Sequence, residues 1–321
     1  MKIKIAIFAL AAAAVLGSGC KKTTTTTVTP SLGGLGITEP AMFVEVGHVQ
    51  ELAVDVDDMY VSDNSDPGTL GVYWIVNNGQ RDTTTLDVGK SNPSFPVKAD
   101  AEGKYTVTAN VFALNKKYYN ASISATFEAI YPETALTGFE GQMEEIQVGG
   151  DKQLLYTAPI GTHTWLCENL FTTGKGIPYQ HCQVVSGLFG HYYTWEEAQT
   201  ACPDGWRLPT AAEFDQDLGT VAGNLMADAT FQKAKMWPYW PQVTITNQYK
   251  FNAIPVGYMD SATTNETYGY KEYACWWTSD TVMDQGIELG VYRYIFAEEP
   301  DIKKGKGSKD TLLLNVRCVK E

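Results

Sequence analysis

The cysteines divide this chain into two unequal parts. Five cysteines follow Cys20, and all five lie between residues 167 and 318, whereas residues 38–133 contain none. In an exported protein cysteines are more often paired than free, and with an odd number at least one is left over. A length of 321 residues is enough for about two domains of ordinary size. The sequence therefore predicts two domains, of which only the second is rich in cysteine.

The N-terminus has the layout of a bacterial export signal. The stretch "MKIKIAIFALAAAAVLGSGC" places Lys2 and Lys4 before a short apolar segment, which ends in small residues and Cys20. Such a segment is too short and wrongly flanked for a stable transmembrane helix. A cysteine directly after small residues resembles the lipobox of bacterial lipoproteins. We therefore expect a signal peptide over residues 1–19 and lipid attachment at Cys20, with an ordinary secreted protein cleaved near Ser18 as the alternative.

The segment after Cys20 predicts a flexible connection to a membrane. Residues 20–37 are polar, threonine-rich and low in complexity, with nothing to bury. More than one acyl chain on the cysteine would hold the protein stably on a bilayer. The expected location is therefore the outer membrane, at the cell surface. Surface lipoproteins of related bacteria tend to carry acidic residues directly after the cysteine, whereas this chain has Lys21 and Lys22. The alternative location is therefore the periplasmic face of the outer membrane.

Residues 38–133 have the pattern of an all-β domain. Short runs of alternating apolar residues, such as "ELAVDV", "VYWIV" and "YTVTANVFA", are separated by turn-rich pieces. Runs this short and regular predict a β-sandwich. Two features of the sequence resemble bacterial Ig-like domains of the PKD kind. Trp74 lies just before an Asn-Gly turn, and Gly103 precedes the strand that begins at Tyr105. That resemblance implies the role of a spacer.

Residues 134–321 contain six short motifs in a fixed order. They are "WLCENL", "YTWEEA", "CPDGWRLPTAAEF", "FNAIPVGY", "WWTS" and "VRCV", at 165–170, 193–198, 202–214, 251–258, 276–279 and 316–319. The series resembles the Fibrobacter succinogenes major paralogous domain, which is common in surface lipoproteins of Bacteroidetes. Six ordered motifs are a far more specific signal than any one of them. The resemblance implies a C-type-lectin-like α+β fold, so the whole chain is expected to be such a domain preceded by an Ig-like sandwich.

Two helix starts and two disulfides belong to this expectation. Thr194 with Glu197, and Thr210 with Glu213, have the spacing of capping boxes at the beginning of helices. The lectin-like fold joins its first helix to its last strand by a disulfide, and this implies a Cys202–Cys318 bridge here. A second, local bridge is expected between Cys167 and Cys182. Cys275 is then left over.

The sequence gives little sign of catalysis, and we predict no catalytic residue, metal or cofactor. No nucleophile elbow, zinc-binding His-Glu-x-x-His helix, phosphate loop or dinucleotide fingerprint is present. His163, His181 and His191 with the nearby cysteines fit no common zinc template. With 24 basic against 37 acidic side chains the net charge is −13, which argues against a nucleic-acid partner because phosphate binding needs a basic face.

Ligand binding is the stronger hypothesis. In lectin-like folds the long loop before the final strands carries the binding site, and here that loop spans roughly 220–274. It contains a cluster of aromatic candidates for ligand binding, namely Trp237, Tyr239, Trp240 and Tyr249. Sugars present apolar faces that stack on aromatic rings; the competing interpretation is that these rings close a core beneath the loop. We expect a non-catalytic envelope protein that binds a glycan or a surface protein, with a structural or adhesive subunit of a fimbria-like assembly as the alternative.

Overall fold

The computed structural model describes residues 30–77, 79–86, 94–114, 121–260 and 267–321. The predicted signal peptide, Cys20 and the first part of the tether lie outside these residues. These residues are mainly in β-sheet, with 49% in strands or bridges and 11% in helices. The chain divides into two compact units, Met1–Ala129 and Ile130–Glu321, whereas the sequence placed the boundary between residues 133 and 134.

The first unit is built from short antiparallel strands. In chain order they are β1 (Leu32–Gly33), β2 (Gly36–Ile37), β3 (Phe43–Glu45), β4 (Val49–Asp55), β5 (Tyr60–Val61), β6 (Leu70–Val76), β7 (Gly79–Leu86), β8 (Ser94–Lys98), β9 (Gly103–Ala113) and β10 (Ala121–Ile130). One sheet has the order β3-β10-β9-β6-β7 and a second has the order β2-β4-β8, while β1 pairs with β5.

The two larger sheets of this unit share one apolar core. Leu52 and Val97 from the small sheet lie in the same cluster of buried residues as Val107 and Trp74 from the large one. The Trp74 ring is fully buried and stacks on Phe95 with 5.2 Å between ring centroids. Because side chains alternate along a strand, every second residue of β9 from Val107 to Ala113 lies in this core. The unit is therefore a two-layer β-sandwich.

The second unit holds more strands, most of them short. They are β11 (Leu136–Thr137), β12 (Gln142–Val148), β13 (Asp151–Ile160), β14 (His163–Leu166), β15 (Ile177–Pro178), β16 (His191–Tyr192), β17 (Trp206–Arg207), β18 (Thr230–Phe231), β19 (Ala234–Lys235), β20 (Tyr258–Asp260), β21 (Thr267–Tyr268), β22 (Tyr273–Asp284), β23 (Ile287–Phe296), β24 (Lys303–Gly307), β25 (Leu312–Leu313) and β26 (Val319–Lys320). Its sheets have the orders β12-β13-β14-β26-β17, β22-β23-β24, β21-β20-β25, β11-β18-β19 and β15-β16.

The helices of the second unit are short. They are α1 (Pro132–Ala135), α2 (Ser186–Phe189), α3 (Trp195–Ala198) and α4 (Ala211–Leu218), and 3-10 turns cover Tyr179–His181, Gln183–Val185 and Ala222–Asn224. Both predicted capping boxes are confirmed. The Thr194 hydroxyl accepts from the Glu197 N–H at the start of α3, and the Thr210 hydroxyl accepts from the Glu213 N–H at the start of α4.

One of the two predicted disulfides is present. Cys202, four residues after α3, is bonded to Cys318, with 5.9 Å between the Cα atoms, so the bridge joins the end of the first motif helix to the last strand. The predicted Cys167–Cys182 bridge is wrong, because Cys167 is a free, buried cysteine. Its thiol lies in the core beside Phe214 and donates to the carbonyl of Trp165 at 3.4 Å. Cys182 does not belong to that cluster. Cys275 is a free, buried cysteine, as expected.

Candidate ligand-binding surfaces

The predicted long-loop site is only partly a surface. Trp237 is 4% exposed, and its Nε1 donates to the carbonyl of Ala253 at 2.9 Å. Its ring belongs to the core that contains Phe214 and Phe251. The prediction of Trp237 as a ligand-binding residue is therefore wrong, and for this side chain the core interpretation holds. Trp240 and Tyr249 are half-buried and pack against the same core.

Tyr239 is the candidate that remains exposed. It is 86% accessible, the highest value among the exposed large apolar side chains of the described chain. It lies between Pro238 and Pro241, and proline fixes φ and so restricts the backbone on both sides of the ring. Trp237 is held in the core before it, and the Gln242 side chain donates to the carbonyl of Glu298 after it. The segment therefore presents one aromatic ring to the solvent on a restrained backbone.

A second aromatic surface was missed by the sequence analysis. We call it the tyrosine face, and it consists of Tyr258, Tyr268, Tyr273, Tyr292, Tyr294 and Phe296. These side chains are half-buried or, in the case of Tyr268, 36% exposed. The alternation Tyr-x-Tyr-x-Phe over 292–296 was a sequence signal for part of it. The rest depends on strand pairing between distant segments.

The rings of the tyrosine face form a continuous series of contacts. Centroid distances are 6.0 Å from Tyr268 to Tyr258, 6.1 Å from Tyr258 to Tyr273 and 6.2 Å from Tyr273 to Tyr294. The series continues at 5.8 Å from Tyr294 to Tyr292. Tyr273 also stacks on Phe296 at 4.8 Å. These distances are those of favourable aromatic pairs, so the rings hold one another in place.

Burial affects the acidity of three phenols of this face. Burial, with smaller effects from neighbouring groups, raises the pKa of Tyr292 to about 12. Burial also raises the pKa of Tyr258 and of Tyr273. Within the described part of the chain, the hydroxyls of Tyr273, Tyr292 and Tyr294 make no hydrogen bond to a protein group. They are available to a ligand as donors and acceptors.

The motif residues, by contrast, meet in the interior. The Asn169 side-chain oxygen accepts from Trp276 Nε1 and from Arg317 Nε, both at 3.0 Å. The Arg317 guanidinium is fully buried, donates to the carbonyls of Phe251 and Asn252 at 2.7 and 3.1 Å, and lies 4.5 Å from the Phe251 ring centroid. Four of the six motifs therefore contribute to one buried hydrogen-bond network, whose role is structural.

A histidine–aspartate pair lies beside α4, and the Thr162 hydroxyl, 3.1 Å from His163 Nδ1, donates to the same aspartate. His163 Nδ1 is 2.7 Å from the buried Asp217 carboxylate, which also accepts from Trp165 Nε1 at 3.0 Å. The other ring nitrogen is 3.5 Å from Glu213, a carboxylate that also accepts from Arg207 at 2.6 Å. The second ring nitrogen of His163 thus faces the Glu213 carboxylate. In a histidine that activates a nucleophile, this position is taken by a hydroxyl or thiol.

Two further features bear on the kind of site this chain could hold, namely metal-binding groups and membrane-spanning helices. Across the residues that the structure describes, no group of three or more histidine, cysteine, aspartate or glutamate side chains is arranged to hold a metal ion. No helix in that part of the chain is long and apolar enough to cross a membrane.

The fold and these surfaces define a β-sandwich unit followed by a mainly β unit with a motif-built interior. The Fibrobacter succinogenes major domain family matches residues 159–320, half of the chain, and the protein belongs to that family. A comparison with curated proteins finds no match.

Three solved structures show weak similarity. A crystal structure of a CARDB domain from Pyrococcus furiosus, in complex with di-metal ions, is 18% identical, covers 35% of this chain and 100% of its own, and has a TM-score of 0.25. A solution structure of the same domain is 24% identical over 31% of this chain and 93% of its own, with a TM-score of 0.22. A quinonprotein alcohol dehydrogenase-like protein from Bacteroides thetaiotaomicron is 11% identical over 88% and 96%, with a TM-score of 0.21.

Proposed function

We propose that this protein is a non-catalytic, lipid-anchored protein of the cell envelope. Its second unit, of lectin-like kind, binds an extracellular glycan or a surface protein through the long loop. The first unit, of Ig-like kind, serves as a spacer. The single observation that carries the proposal is the exposure of Tyr239, 86% accessible on a segment bounded by prolines.

An exposed aromatic ring on a restrained backbone has the properties of a binding anchor. Tyrosine supplies a large amphipathic contact area and loses little conformational entropy on binding. Residues of this type dominate the energy of many interfaces. Trp240 and Tyr249, in the same loop, are half-buried on the core and add further aromatic surface to it. The envelope location rests on the export signal and Cys20.

The test is binding of the full-length protein to an array of bacterial and host oligosaccharides and to intact bacterial cells. We expect Tyr239→Ala to weaken binding at least tenfold, whereas Tyr131→Ala, which removes a 46% exposed tyrosine elsewhere, leaves binding unchanged. Circular dichroism confirms that both variants are folded. The long-loop site would be contradicted if every oligosaccharide and cell type that binds the wild-type protein bound the Tyr239→Ala protein with unchanged affinity.

The alternative function, a structural or adhesive subunit, is favoured by one observation. The β22–β23 hairpin exposes Val282, Met283 and Ile287 near its tip, by 38%, 65% and 64%. Exposed apolar patches often mark protein–protein contacts. Light scattering that shows self-association of a protein unable to bind any glycan or cell would favour this function over ligand binding.

A further inference from the structure

We infer that the tyrosine face is a second binding surface, separate from Tyr239, and that its ligand is a neutral oligosaccharide. This goes beyond the proposed function, which places a ligand only on the long-loop anchor. The inference rests on how the strands arrange the rings, on the hydroxyls of Tyr273, Tyr292 and Tyr294, which make no hydrogen bond to a described protein group, and on the charges around the rings.

Strand register places the rings on one side of the β22-β23-β24 sheet. Tyr273 is directly opposite Phe296, and Tyr294 and Tyr292 are directly opposite the buried Cys275 and Trp277. Directly opposite residues of paired strands point to the same face. Tyr258 and Tyr268 face each other in the neighbouring β20–β21 pair and extend the surface through the Tyr258–Tyr273 contact.

A glycine in the edge strand fixes the end of this surface. Gly305 in β24 is opposite Tyr292, and a Cβ at that position would lie 2.2 Å from the tip of the Tyr292 ring. The Tyr292 ring therefore lies across β24 on the backbone of Gly305, where a side chain on any other residue would occupy the position of the ring. Trp277 supports the same ring from the interior at 5.7 Å, in a perpendicular arrangement. Tyr292 is thus held in a single orientation from two sides.

A preformed aromatic surface of this kind suits a sugar. The apolar C–H faces of pyranose rings pack on aromatic rings, and sugar hydroxyls exchange hydrogen bonds with phenol groups. Rings that already pack on one another lose little conformational freedom when a ligand arrives. The series of contacts from Tyr268 to Tyr292 joins five rings, which offer more than one stacking position, so an oligosaccharide fits it better than a monosaccharide.

The charges around the face select a neutral ligand. Asp260 and Glu272 are close enough to Tyr258 to raise the pKa of its phenol after the larger effect of burial. Their carboxylates accept hydrogen bonds from sugar hydroxyls and repel an acidic sugar. The three described lysines of β24 are each paired with a carboxylate, Lys303 with Glu299, Lys304 with Asp215 at 2.8 Å and Lys306 with Asp284 at 2.9 Å. These pairs weaken the attraction of that strand for a uronic or sialic acid.

The experiment uses the full-length protein carrying Tyr239→Ala, so that the long-loop anchor is absent. The neutral probes are the hexasaccharides cellohexaose, mannohexaose and maltohexaose, and the acidic probe is hexagalacturonate. Saturation-transfer NMR and calorimetry measure binding. We expect at least one neutral hexasaccharide to bind, and the acidic probe to bind at least tenfold more weakly.

Variants that keep the fold then locate the site. Tyr273→Phe with Tyr294→Phe removes two hydroxyls and keeps both rings, and we expect a three- to tenfold weaker affinity. Tyr294→Ala removes a ring and should weaken binding at least tenfold, while Tyr131→Phe is the matched control. Failure of all three neutral probes, equal binding of hexagalacturonate, indifference to the Phe substitutions, or capture of a proline-rich peptide in place of sugar would each overturn the inference. Because Tyr239 is already absent, none of these results bears on the long-loop site.

Discussion

The buried Arg317 allows a quantitative test of the idea that the motifs serve the fold. We consider Arg317→Met, which keeps a side chain of similar length and removes the guanidinium. The carbonyls of Phe251 and Asn252 would lose their Arg317 donors, whereas the Asn169 oxygen would keep the bond from Trp276. Backbone carbonyls cannot be replaced by apolar groups, so the substitution leaves two buried acceptors without these donors.

The expected loss follows from these two groups. A buried polar group left without a partner costs about 1–3 kcal/mol, so two give about 2–6 kcal/mol. Burial lowers the pKa of Arg317 to about 9, which shows that keeping its charge in the interior is itself unfavourable. Removing that charge offsets part of the cost, because desolvation of a buried ion amounts to several kcal/mol. We therefore expect the free energy of unfolding to fall by about 3 kcal/mol.

Urea unfolding followed by tryptophan fluorescence measures this loss. Seven of the eight tryptophans belong to the second unit, since only Trp74 lies in the first, so the signal reports the unit that contains Arg317. The matched control is Lys304→Met. Lys304 is 68% exposed and shares Asp215 with Arg293, and loss of such a surface pair should change stability by less than about 1 kcal/mol. A loss below about 1 kcal/mol for Arg317→Met would refute the reasoning.

Two further predictions concern the same unit. Burial raises the pKa of Glu168 to about 7 from its ordinary 4.5, so the folded state binds more protons between these values and stability falls as pH rises through that window. The free energy of unfolding of Glu168→Gln, relative to wild type, should therefore increase by on the order of 2 kcal/mol between pH 5 and pH 8. Urea unfolding of both proteins across this range measures the difference, and a difference that does not change with pH would contradict the prediction. Cys202→Ala opens a bridge between residues 116 apart in sequence and should cost about 4–5 kcal/mol. Reducing agent should lower wild-type stability by the same amount, and no shift on reduction would exclude a stabilising bridge.

Local sequence signals predicted the features that depend on neighbouring residues. A capping box needs a threonine and a glutamate three positions apart, and both predicted boxes form. Alternating apolar residues marked β9, where Val107, Ala109 and Val111 are fully buried. The Cys202–Cys318 bridge is non-local, and it was available only because the order of the motifs resembled a known family.

Features that depend on distant pairing could not be read from the sequence. Trp237 and Tyr239 are two residues apart in one aromatic run, yet the Trp237 indole lies in the core and donates to the Ala253 carbonyl, whereas Tyr239 is exposed. The tyrosine face combines three strand pairs with residues between 258 and 305. The expected Cys167–Cys182 bridge failed for the same reason, since their spacing in sequence says nothing about the core that holds Cys167.

The division between interior and surface favours a binding function for this unit. Asn169, Trp276 and Arg317, each from a different motif, bond to one another in a network that no ligand can reach without unfolding the unit. Tyr239 and Tyr294 lie outside the motifs and reach the solvent. This arrangement buries its charged centre and leaves aromatic rings at the surface. Under the proposed function, the motifs build the interior, and specificity is set by solvent-facing rings such as Tyr239 and Tyr294.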